Sequence, residues 1–317
     1  MKTDIAAAIT ATILDKLAAG TKPWVQPWTG APASRPLRHN GEPYKGINVV
    51  MLWLAARVRG FSSPYWMTYN QCQQLGGQVR RGERCSTAVF YKALGPKEQD
   101  ADAVAGDDHG EPGKPKKRFV LRSFNVFNVD QIDGLEAEYP TPEIKPLPAY
   151  EQRAEIEAFF ASVPAIVHHR GNQAFYRRDT DEITLPPVET FRDYPAYAST
   201  RAHETAHWTG HASRLDRQFG KRFGDDAYAF EELVADIAAA IVGAQLGLPE
   251  AELDDHASYL QSWIKVLERD KNAILTAASK ADEAAQLIMQ LGRAPEHRPA
   301  AGKQTVFADV RVLEDAL

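Results

Sequence analysis

Apolar side chains recur at helical spacing from Thr3 to Ala19, through Ile5, Ile9, Ile13, Leu14 and Leu17, and the run stops at Gly20. The spacing predicts an amphipathic helix with one face in a core. A second helix-like apolar run covers Ile47 to Val58, and strand-like stretches cover Thr87 to Tyr91 and Phe119 to Val129. Beyond Tyr150 the pattern becomes mostly helical. It predicts helices over Tyr150 to Ser162, from near Pro195 to Gly210, from Tyr228 through Val242, and over about Leu253 to Arg269 and Lys271 to Leu291. Two short strands interrupt them, Ala174 to Arg177 and Glu182 to Leu185, with Asp179-Thr180-Asp181 as a hairpin turn. Mixed elements followed by a helical block predict an α+β chain.

Breaks in that pattern divide the chain. Residues 95–118 are nearly free of large apolar side chains and rich in Gly, Pro and charge, the composition of a mobile loop inside the first domain. Pro140, Pro142, Pro146 and Pro148 make a stiff linker over 140–149. The expected organisation is therefore a first domain over 1–139, a second over 150–292, and a loose tail over 293–317.

At 317 residues the chain can bury two cores, and 44% hydrophobic with 25% charged residues is an ordinary soluble composition. The most apolar windows, Ile5 to Ala19 and Ile237 to Leu248, are too short to span a bilayer. The charged N-terminus lacks a secretory pattern, so a cytoplasmic location is expected, with Cys72 and Cys85 as reduced thiols. Charge is unevenly spread: residues 1–130 hold 18 Lys and Arg against 11 Asp and Glu, a net of +7, which leaves –12 for the remainder of a chain whose total is –5. The two halves face different partners.

Between Thr21 and Lys92, ten cations meet only Glu42 and Glu83, and aromatic rings are interleaved with them. Cations that follow a phosphate backbone, mixed with rings on which unpaired bases stack, are what single-stranded nucleic acid requires. Trp53 and Phe90 lie in core-like runs. Trp24, Trp28, Tyr44 and Trp66 stand beside Pro, Gly or Ser and are the candidate stacking rings, with Lys45, Arg80, Arg81 and Arg84 as the candidate phosphate contacts. The acidic second half should repel nucleic acid, which places the strand on the first.

One stretch specifies a reaction by spacing. In His203-Glu204-Thr205-Ala206-His207 the two histidines lie one turn apart on one helix face and can reach a single cation. Glu204 is about 100° further round, placed to act as general base without ligating. A catalytic zinc ion needs a third protein ligand and an open position for water. On the next helix Glu232 and Asp236 stack one turn apart: Glu232 is read as the third ligand, and Asp236 as acceptor of the free ring N–H of a ligand histidine. This Glu-x-x-x-Asp arrangement resembles a gluzincin metallopeptidase, with Zn2+ expected and another divalent transition metal as the alternative. An oxyanion donor is also needed; Tyr228, His211, Arg214 and Tyr259 are available, and spacing does not choose among them. The strand pair is expected to hold a substrate backbone along its edge.

The blocks PW-x-x-PW (23–28), YKGINVVMLW (44–53), SPYWMTYNQ (63–71), LGGQVRRGE (75–83) and FNVDQ (127–131) resemble the N-terminal single-stranded-DNA-binding domain of the ArdC antirestriction proteins. HETAHWTGHASRLDR (203–217) and YAFEELVADIAAA (228–240) are similar to the metallopeptidase domain that accompanies it. The resemblance implies an α+β N-terminal module and a zincin-like C-terminal domain related to SprT-like DNA-dependent proteases. It implies a plasmid- or phage-borne protein that protects incoming DNA from host restriction during conjugation, with single-stranded DNA and a protein substrate, such as a component of the restriction system, as partners. Asp236 stands where many relatives carry Glu, a shorter reach for the same carboxylate. Two other functions fit the same residues: a DNA-coating protein whose metal site is structural or vestigial, and a primase-associated DNA-processing module.

Overall fold

The protein is represented by a computed structural model, which describes residues 4–24, 35–93, 104–105, 118–139, 149–217, 226–248 and 256–293. The expected loop (apart from a two-residue strand within it and its last residue), the proline linker up to 148 and the tail beyond 293 lie outside the described residues, as does Trp28.

The first helix, α1 (Ile5–Ala18), begins at Asp4, whose carboxylate caps the Ala7 N–H, and ends before Gly20 with its positive φ. After β1 (Leu37–Arg38) the chain enters α2 (Ile47–Arg59), bounded by Gly46 and Gly60, both in positive-φ conformations a side chain would resist. Then follow β2 (Tyr65–Met67), α3 (Tyr69–Gln74) with a complete Thr68/Gln71 capping box, β3 (Gln78–Val79) and β4 (Ser86–Ala93). The short β5 (Val104–Ala105), the long β6 (Arg118–Asn128) and β7 (Ile132–Asp133) complete this half. The main sheet runs β1-β2-β6-β4, with β5 also on β6, and β3 pairs with β7. Its spine is the antiparallel β4–β6 pair, in register from Ser86 opposite Val126 to Ala93 opposite Phe119.

The second half carries α4 (Ala149–Ala161), β8 (Ile166–His169), β9 (Phe175–Arg177), β10 (Glu182–Leu185), α5 (Tyr194–Thr209), α6 (Asp226–Gln245), α7 (His256–Arg269) and α8 (Ala273–Leu291). The predicted hairpin is present, β9 antiparallel to β10, and β8 joins the other side of β10 in parallel. The β8 strand was not predicted, since Ile-Val-His-His lacks the alternation that marks a half-buried strand. Mixed helices and sheets of this kind make the fold α+β.

α6 is buried nearly all round, including Leu233, Val234, Ile237, Ile241 and Val242, so it is the central helix. Ala277, Ala278, Ala281, Ala284 and Ala285 on α8 are buried beside it; small side chains let these backbones approach closely. The same cluster takes in Ile9, Ile13, Leu17 and Trp24 from the N-terminal segment and Val49, Val50 and Trp53 from α2. The apolar core is thus continuous across the proline linker. Arg35, itself buried, reaches across to Asp282 on α8.

Candidate metal centre

α5 starts where Asp193 caps the Ala196 N–H and Pro195 occupies the first turn. The helix carries His203 and His207 to the face that meets α6, where Glu232 projects. The two Nε2 atoms are 3.1 Å apart, His203 Nε2 is 3.4 Å from Glu232 Oε2, and His207 Nε2 is 3.5 Å from Glu232 Oε1. With ligand bonds of about 2.0–2.1 Å, a tetrahedral ion separates its ligand atoms by about 3.3 Å. The triangle matches that edge length, and two imidazoles with a carboxylate suit a divalent transition metal. His203, His207 and Glu232 are therefore brought together as expected from their spacing.

The charges here are desolvated. Burial pushes the Glu204 carboxyl above the ordinary carboxylate range, against the pull of the His203 and His207 imidazoles. The Tyr176 N–H of β9 donates to that carboxylate, which ties the hairpin to the general-base position. For Glu232 burial also pushes upward, but His207 and His203 more than offset it and the carboxyl ends well below its usual range. Burial opposes charge on His207, yet Glu232, Glu231 and Glu204 raise it to about 10. A metal ion would displace the proton that this arrangement holds.

The outer partners differ from the expectation. Asp236 makes no hydrogen bond to a ligand histidine. Its Oδ1 and Oδ2 accept Lys22 Nζ at 2.8 and 2.9 Å, and Oδ2 accepts Trp24 Nε1 at 2.6 Å. Lys22, His203 and Trp24 together outweigh burial and keep the Asp236 carboxyl low. Glu231 takes the role assigned to Asp236: its Oε1 is 3.2 Å from His207 Nδ1. Arg217 braces Glu231 through Nη2 at 2.7 Å and Nε at 3.0 Å, and also donates to Ala206 O and Thr209 Oγ1. Two adjacent glutamates on a helix point about 100° apart, so one ligates while its neighbour can reach the back of the ring. Such an Arg–Glu–His chain fixes tautomer and ring orientation. His203 Nδ1, by contrast, is buried without a hydrogen-bond partner.

Of the four oxyanion candidates, Arg214 is committed elsewhere. Its guanidinium lies 3.7 Å from the centroid of Trp208, its Nε donates to Trp208 O at 2.7 Å, and Nη1 pairs with Asp181 at 2.9 Å. Asp181, at a positive φ in the hairpin turn, also accepts the Tyr176 hydroxyl at 2.8 Å, so Arg214 anchors the hairpin to α5. His211 Nδ1 is occupied by Ser213 at 2.8 Å. The Tyr228 hydroxyl, with its pKa raised by burial and then by Glu232 and Tyr259, lies against the ligand carboxylate, with Tyr259 beside it.

In the basic half the rings and cations separate. Trp24, Tyr44 and Trp66 are 0–3% exposed and belong to the core, which corrects their reading as stacking rings. Trp24 packs edge-on to Trp263, with centroids 5.5 Å apart; Tyr44 and Trp66 fill the space between α2 and the sheet with Leu52 and Val126. Lys45, Arg80, Arg81 and Arg84 are exposed. Two adjoining hollows lie here, one edged by Tyr69, Arg80, Arg81 and Phe127, the other by Arg59, Phe61, Arg80 and Arg84. Tyr69, one of the interleaved rings but not one of the four candidates, is exposed and faces this groove. Its signal was its place at the start of α3, one residue after the capping Thr68.

A histidine pair on one helix, a carboxylate from the next and an adjacent glutamate define the zincin class of metal centre, carried here beside a basic α+β half. Residues 154–280 match the zincin-like metallopeptidase family MPTase-PolyVal, and residues 3–127 match the N-terminal domain of the anti-restriction factor ArdC. The chain belongs to the ArdC antirestriction family. It is similar to the crystal structures of the antirestriction ArdC protein from plasmid R388, metal-free and Mn(II)-bound, at 40% and 39% identity; in both comparisons the TM-score is 0.73, with 92% of this chain and 98% of that one covered. It is also 38% identical over 287 residues to protein y4eC of Sinorhizobium fredii (strain NBRC 101917 / NGR234), covering 89% of this chain and 91% of that protein. A DNA primase TraC of Escherichia coli is 39% identical over 285 residues, but these span 86% of this chain and only 19% of the primase. Among the described residues no helix is long and apolar enough to cross a membrane.

Proposed function

We propose that this protein protects incoming DNA from host restriction during conjugation, binding single-stranded DNA along its N-terminal groove and hydrolysing peptide bonds at its C-terminal metal centre. The observation that carries the hydrolytic part is the triangle of His203, His207 and Glu232 with Glu204 beside it. Zinc held there would act as a Lewis acid toward a peptide carbonyl and make water more acidic. Glu204 takes the proton of the attacking water and delivers it to the leaving amine; a carboxyl kept basic by burial is suited to that exchange. β9, an edge strand of its sheet, is the strand we assign to hold the substrate backbone. Tyr228, the candidate in contact with a metal ligand, is the donor we assign to the developing oxyanion.

Arg81, Arg84, Arg59 and Tyr69 line the proposed strand path, cations for phosphates and a ring for a base. The kinship with a region of primase TraC favours a second reading, a DNA-handling module joined to other activities. Both readings keep the groove; they differ in the need for hydrolysis.

The test uses the full chain. Zinc content should fall to background in His203→Ala, and equal content in the two proteins would refute the ligand assignment. Cleavage of casein, with and without a single-stranded oligonucleotide, should drop by about 10²–10⁴-fold in Glu204→Gln while bound zinc is retained. Undiminished cleavage in that variant would remove the peptidase reading.

A further inference from the structure

The two ligand histidines have unequal support. His207 rests on Glu231, which Arg217 braces; His203 Nδ1 is buried with no partner. A buried ring N–H without an acceptor is destabilising, and metal-bound histidines nearly always donate theirs. The carboxylate whose charge the His203 imidazole acts on is Asp236, one turn beyond Glu232 on α6. Both oxygens of that carboxylate are held by a segment distant in sequence: Lys22 bridges them and the Trp24 indole takes Oδ2. Lys22 Nζ also sits 5.3 Å from the Trp263 ring centroid, so the three side chains form one packed unit on α7.

We propose that Lys22 and Trp24, which belong to the N-terminal family domain, are positioning residues of the metal centre: they divert Asp236 from His203 and thereby hold metal affinity below what the ligand set alone would reach. This rests on the metal reading above. The competition is for one acceptor. While Lys22 and Trp24 hold the carboxylate, the Nδ1 side of His203 is held only by packing; when either donor is lost, Asp236 turns to the Nδ1–H and His203 becomes as well braced as His207. The N-terminal segment thus sets the strength of a site on the far side of the proline linker.

The experiment is a calorimetric Zn(II) titration of the full chain, repeated with Mn(II). Trp24→Phe keeps the ring packed on Trp263 and deletes only the indole donor. It should bind either ion about tenfold more tightly, the lower end of what an outer hydrogen bond to a ligand histidine contributes. In an Asp236→Asn background the same change should leave affinity unaltered, which a merely structural role for Trp24 would not produce. Should Trp24→Phe fold poorly, Lys22→Met tests the same competition with the tryptophan left in place. Unchanged or weaker binding in both single variants would overturn the proposal. A wild type that takes up neither ion would overturn the metal reading itself, and this inference with it.

Discussion

The metal-centre end and the basic groove use charge in opposite ways. Around α5 and α6, Glu204, Glu231, Glu232, Asp236 and Arg217 are each at most 7% exposed, and the acids face named partners. Along the groove Arg81 and Arg84 stand in solvent. Buried charges need partners with fixed geometry or they destabilise the fold by several kcal/mol, whereas exposed ones cost little and contribute little until a ligand desolvates them. Substitutions at the two ends should therefore fail differently: abruptly and with altered metal binding at one, gradually and with altered salt response at the other.

The largest expected effect tests which side of that comparison Tyr44 falls on. Burial pushes its phenol up to about 12, with Arg38 pulling the other way. A phenol that ionises near 10 in the unfolded chain and near 12 in the fold contributes stability that is whole below about pH 10 and lost as the pH climbs through about 12. Tyr44→Phe should thus flatten the alkaline limb of a urea-unfolding stability curve by about 2–3 kcal/mol. An unchanged limb would return Tyr44 to the surface as a stacking ring.

Next comes Glu231→Gln, which keeps the shape but removes the charge facing His207 and Arg217. Metal affinity should fall about 10–100-fold while the groove binds DNA as before. Equal zinc affinity would show that Arg217 and Glu231 serve packing alone. The smallest effect is expected from Arg81→Ala combined with Arg84→Ala. Thermal stability should stay within about 0.5 kcal/mol, while the slope of log affinity for single-stranded DNA against log salt should drop by about one to two. A slope that does not move would place the strand elsewhere.

Much of the centre was legible because helices have a fixed period. His203, His207 and Glu204 follow from positions within one turn and a quarter, and Glu232 from the next long helix. The brace on His207 was not legible: Glu231 and Asp236 are both acids on α6, and the choice between them depends on which side of the imidazole ring the helix presents. Trp24 shows a different limit. Its proline-rich surroundings, Pro23 and Pro27, suggest an exposed loop, but its burial comes from Asp236 and Trp263, more than 200 positions away. The cations are exposed where the rings are not, because a long charged side chain reaches solvent from most surface positions, whereas an aromatic ring is stabilised by any apolar contact it finds.

The Trp24 seat has a bearing on how such proteins are cut and joined. A fragment starting at the proline linker would carry Trp263 with one face stripped and Asp236 charged in an apolar wall. Surgery at that linker, whether by a cloning primer or by recombination between genomes, leaves two damaged pieces. The similarity to TraC takes in 86% of this chain, more than either family domain covers by itself, within a far longer polypeptide.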